Sequence, residues 1–145
     1  MSGAPRRSAV TKRASVAKNG RALPPALVLG KTWHALDVAL GLKSHTARRA
    51  VAGVRAIGGD LGLGPAKFLG ADEVASVAGE LRRLEPRATL EVPFRAGALA
   101  DVHGGYGTDP DDDDALEELV ERLDRLRAFY DDAAAKAHAV VVAIS

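Results

Sequence analysis

The sequence predicts one helix-rich α+β domain, its helices set in α/β-like layers against a small mixed sheet. Three observations predict it. Leu116, Leu119, Val120, Leu123, Leu126 and Tyr130 repeat at the helical period over Asp113–Ala137. Ala139–Ile144 follows with three successive valines, the mark of a strand buried on both faces. The 145 residues suit a single domain with one core. A long helix feeding a buried strand needs a sheet with helices laid against it.

The other elements follow in chain order. Residues 1–23 read as a basic, disordered arm and 24–145 as the domain. In the arm, Arg6, Arg7, Lys12, Arg13, Lys18 and Arg21 lie among Ser, Ala and Gly without an apolar period. Such a segment buries too little surface to offset its ordering entropy. Pro24 and Pro25 end any helix entering from the left. Lys31–Gly41 is the first helix, with Trp33, Leu36 and Leu40 on one face and Gly41 as its stop. Ser44–Val54 is a second, turning Ala47, Val51 and Val54 inward and Arg48, Arg49 and Arg55 outward. Gly58–Pro65 reads as a rigid turn segment. Ala71–Leu84 is the third helix, with Val74, Val77, Ala78 and Leu81 as its buried stripe. Thr89–Val92 reads as extended, Phe94–Val102 as a helical turn and His103–Pro110 as loop.

Composition excludes several chemistries. Without cysteine there is no disulfide, thiolate catalysis or Cys-based zinc site. No apolar run approaches the roughly 18–20 residues of a membrane span. A cytoplasmic protein without a membrane partner is the expectation. The net charge of +1 hides an asymmetry: residues 1–59 hold eleven Lys/Arg and one acid, residues 60–145 nine Lys/Arg and eighteen acids. The arm could touch phosphates through charge alone, but no aromatic is interleaved with its basic residues, so nucleic acid is not the expected partner.

No motif is complete. Gly30-Lys31-Thr32 resembles the end of a phosphate loop, but Pro25 stands where its first glycine belongs. Gly62-Leu63-Gly64 lacks a third glycine, and Pro65 removes a backbone donor. Asp109–Asp114 lacks the glycine and glutamate of a calcium loop. Neither a metal nor a cofactor is expected. The candidate catalytic groups are Asp101 with His103 and His34 with Asp37, pairs in which a carboxylate could orient an imidazole base. The candidate ligand-binding residues are Trp33, Asp37, Gly62, Gly64 and Tyr106.

Four stretches together resemble the YfbM-like family of bacterial domains of unknown function. They are Leu29–Gly41 around Lys31-Thr-Trp33, Asp60–Leu69 leading into Asp72-Glu73-Val74, Phe94–Tyr106, and Leu126–Tyr130 through Val140–Ile144. The resemblance covers about residues 27–145. It implies a layered α/β fold and assigns no activity. Two features depart from the family. Its members open with a strand and a helix where this chain has its basic arm, implying a missing or replaced sheet edge. They also often carry histidine where this chain has Asp37. The function expected is a binding module for a protein or small ligand, acting through the Gly-rich loops without catalysis. The alternatives are a hydrolase using a His/Asp pair and non-specific nucleic-acid association through the arm. Neither the ligand nor the oligomeric state can be read from the sequence.

Overall fold

The computed structural model describes residues 7–11, 26–60 and 65–143. Five strands form one mixed sheet: β1 (Arg7–Thr11), β2 (Ala26–Val28), β3 (Arg55–Asp60), β4 (Pro65–Leu69) and β5 (Ala139–Ala143). Their order is β2-β1-β5-β4-β3, which puts the valine strand at the centre. β1 runs parallel to both β2 and β5, with Val10 opposite Leu27 on one side and Val142 on the other. β4 pairs antiparallel with β5 and with β3, and the register against β3 shifts between Ile57 and Asp60.

Two expectations change here. Arg7–Thr11, assigned to the arm, is an interior strand, so the sheet does not lose an edge at this point. Its ordering is offset by backbone ladders on both sides, which need no apolar period of its own. The rest of the arm lies outside the described residues. The expected turn segment Gly58–Pro65 instead supplies the end of β3 and the start of β4, while residues 61–64 lie outside the described set.

Helices α1 (Trp33–Lys43), α2 (His45–Ala52), α3 (Ala71–Arg82), α4 (Pro86–Arg95) and α5 (Asp113–Ala135) make the helical layer. A 3-10 turn over Gly30–Thr32 leads into α1. Gly41 does not stop α1, which runs on to Lys43. Ser44 then leaves the helix with extended backbone and caps α2 by accepting from the Ala47 N–H at 3.1 Å. At the start of α3 the Glu73 carboxylate accepts from the Gly70 N–H at 2.8 Å. The segment Thr89–Val92, expected to be extended, is the middle of α4. Its β-branched residues suggested a strand, but the helix start decides. Pro86 is preset for the first turn, and the Glu85 side chain accepts from the Ala88 N–H at 2.6 Å.

The core lies between the sheet and this layer. Leu36 and Leu40 of α1, Val74, Val77 and Leu81 of α3, Leu90 and Phe94 of α4, and Leu119, Leu123 and Leu126 of α5 are all fully buried. Val140 and Val142 join them from β5, while Val141, of opposite parity, is half-exposed. The central strand therefore turns its valines mainly to one face, not equally to both. Tyr130 is also fully buried, and its hydroxyl donates to the Ala50 carbonyl of α2 at 2.8 Å. A helix leaves its last four carbonyls unspent, and this one is satisfied by a side chain from another helix.

Leu123→Ala is expected to destabilise the fold by about 2–5 kcal/mol in urea unfolding, the cost of a buried cavity. Burial pushes the Tyr130 hydroxyl far above its ordinary range. The folded chain keeps a proton that the unfolded chain releases near pH 10. This contribution is fully present below about pH 10 and falls as pH rises further, by about 1.4 kcal/mol per pH unit. Tyr130→Phe is expected to cost about 1–3 kcal/mol at pH 7, because the Ala50 carbonyl loses its donor. The same variant should lack this part of the alkaline slope, as read from unfolding curves between pH 8 and 11.

Candidate functional site

The loop after α4 folds back onto the start of α1. Gly104 has φ +100°, and a Cβ there would stand 2.5 Å from the Lys31 carbonyl oxygen. Only glycine permits this approach. It brings the His103 backbone N–H to His34, whose Nδ1 accepts at 2.8 Å. The His34 ring stacks on Trp33, with centroids 5.1 Å apart and planes 23° apart. The His103 ring lies 6.4 Å from Trp33 on a tilted plane. Three of the sequence-predicted residues, Trp33, His34 and His103, thus form one cluster at the loop–helix junction.

The other candidates go elsewhere. Asp37 is buried and accepts a bidentate pair from Arg48 of α2, Nε at 3.0 Å and Nη2 at 3.2 Å. That interaction, and not an imidazole, is the carboxylate's main partner. Asp101 is exposed, and no hydrogen bond joins it to His103 among the described residues. Tyr106 donates its hydroxyl to Glu118 of α5 at 2.6 Å, and this bond, with burial, holds the phenol above its ordinary pKa. Gly62 and Gly64 lie outside the described residues. At His34 the Nδ1 lone pair is spent on the His103 backbone N–H.

A wide groove opens on the other side of Glu118, a position the sequence reading did not single out as a site. It has a volume of about 990 Å³ and lies between the α3–α4 turn and α5. Leu84, Pro86 and Val120 are its apolar lining. Arg82, Arg83 and Arg87 with Glu85 charge the α3–α4 side, and Glu117, Glu118, Glu121 and Asp124 with Arg127 charge the α5 side. Arg87 pairs with Glu117, which raises the guanidinium's pKa, and Arg82 with Asp131 at 2.7 Å. Arg127 donates through Nε to the Leu81 carbonyl at 3.0 Å, closing the end of α3.

A family model described as a domain of unknown function, DUF1877, matches residues 10–143. The chain belongs to this family. Its matched span begins inside β1 and ends with β5, so it takes in the central strand pair. No curated protein and no solved structure matches the chain.

In this DUF1877 domain the groove left one trace in the sequence. Leu84-Glu85-Pro86 marks where one helix ends and another begins, and such a break opens a notch against any helix packed across it. The Gly104 contact left less, since a glycine in a loop does not announce what it approaches. Gly104→Ala is expected to cost about 1–3 kcal/mol through its backbone conformation and its collision with Lys31. Amide exchange at His103 should accelerate in that variant and also in His34→Ala, as read by two-dimensional NMR.

Proposed function

We propose that this DUF1877 domain is a bacterial, cytoplasmic, YfbM-like binding module that holds a segment of another protein in the groove between the α3–α4 turn and α5. The observation that carries this reading is the groove's chemistry. At about 990 Å³ its size would admit either a small ligand or a peptide. Small-ligand clefts are lined mostly by apolar groups with few polar ones. Here nine charged residues surround three apolar ones, which is closer to the polar rim of a protein contact than to a small-ligand cleft. Binding without catalysis is supported by the fate of the candidate acid–base groups. Asp37 is held by Arg48, and the His34 Nδ1 by a backbone amide.

Photo-crosslinking from position 121 in bacterial cells should capture a protein partner. Calorimetry with that purified partner should then show at least about tenfold weaker binding for the Arg83→Glu, Glu121→Lys double variant. Trp33→Ala should bind as the parent does. Binding lost in Trp33→Ala and kept in the groove variant would instead move the site to the loop–helix cluster.

A further inference from the structure

A second concavity lies along α2 and is independent of the groove. It measures about 190 Å³ and is lined by His45, Arg48, Arg49, Ala52, Gly53 and Val54. His45, Arg48, Arg49 and Ala52 stand at i, i+3, i+4 and i+7, so one face of the helix supplies most of the wall. Among the described residues no carboxylate lines it. Like charges at this spacing repel and weaken a helix. Arg48 already has Asp37 as its counter-ion, so the unmatched positive charge on this wall is that of Arg49 among the described residues.

The two guanidiniums are prepared differently. Arg48 gives Nε and Nη2 to Asp37, and its Nη1 has no hydrogen-bond partner among the described residues. Its side chain lies across Gly41 of α1, where a Cβ would stand 3.1 Å from Arg48 Cδ. Arg48 is thus fixed before any ligand arrives. Arg49 is half-buried and has no acidic partner within ion-pair distance among the described residues. Its stem can pack along the wall while its guanidinium stays available to an incoming anion. Ala52 and Gly53 keep the floor low. Gly53 has φ +73°, and a Cβ there would stand 2.1 Å from Lys67 Cβ, so β4 closes the pocket from behind. The negative end of α2 is at Gly53 and its positive end at His45, which draws an anion toward His45.

We infer that this α2 pocket binds a single phosphate group, as the free ion or as the end of a monoester. The volume is well below the roughly 300–1,000 Å³ of clefts that enclose whole organic ligands. Guanidinium forks match phosphate oxygens in geometry as well as charge. Arg49 and His45 face the anion from one side of α2, while Arg48 is largely neutralised by Asp37.

The test is an NMR titration of the full chain at pH 7 with inorganic phosphate and with phenyl phosphate, each against sodium chloride at equal ionic strength. Both probes should give saturable shifts in the His45–Gly53 amides. Tighter binding of the monoester would identify an attached group as the natural source, and tighter binding of the ion would identify free phosphate. Arg49→Gln should weaken binding at least about tenfold, the loss of one charged hydrogen bond. His45→Gln should weaken it severalfold and serves alone if the Arg49 variant does not fold. Arg83→Gln, in the groove, should leave binding unchanged. Equal shifts with chloride, or phosphate affinity unchanged in both pocket variants, would overturn the inference. So would binding of a single-stranded oligonucleotide where neither phosphate probe binds, which would make the stripe a polyanion surface.

Discussion

Tyr130 reaches from α5 to the end of α2, 80 residues earlier in the chain, and donates to a carbonyl buried beneath it. One turn before it, Arg127 does the same for α3 at Leu81. The long helix therefore closes the C-terminal ends of two others with side chains, supplying donors the backbone lacks there. Its leucine stripe brings these donors into reach, because Leu119, Leu123 and Leu126 are fully buried on the same rod. With α2 held in place, Arg48 meets Asp37 and the α2 pocket has its shape. With α3 held in place, the α3–α4 turn stands opposite α5 and the groove exists. Both concavities depend on the seating of one helix.

The helices were legible because their signal is local. Val74, Val77, Ala78 and Leu81 announce a face within three turns, and all four are buried. Strand pairing is a long-range fact, and the sequence carried less of it. The β5 valines were plain, but Arg7–Thr11 has no pattern of its own and is ordered by neighbours that lie far along the chain. Gly58 and Gly59 read as turn residues and lie within β3, at the register shift between Ile57 and Asp60, where glycine in a strand often marks a bulge. In α4 two signals conflicted. Thr89 and Val92 favoured a strand, Glu85 and Pro86 a helix start, and the capping geometry prevailed.

The candidate site was legible in part for the same reason. Spacing put His34 and Asp37 on one helix, one turn apart, but it could not say what each would meet. Their partners, a loop amide and an arginine of the next helix, come from elsewhere in the chain. Trp33 and His103 do converge, through a glycine whose role shows only once Lys31 is seen against it. The groove was missed because its walls are charged residues that each read as ordinary helix surface.

The central strands have a further consequence for how the chain comes to be folded. β1 and β5 are neighbours, yet the first residue of one aligns with a residue some 130 positions later, Arg7 with Ala139. At a synthesis rate of about 5–20 residues per second, β1 waits roughly 7–26 s for its partner to be made. Until then its inner edge is open to any extended segment nearby. The ribosome delivers the middle of this sheet last, and β1 must stay shielded meanwhile.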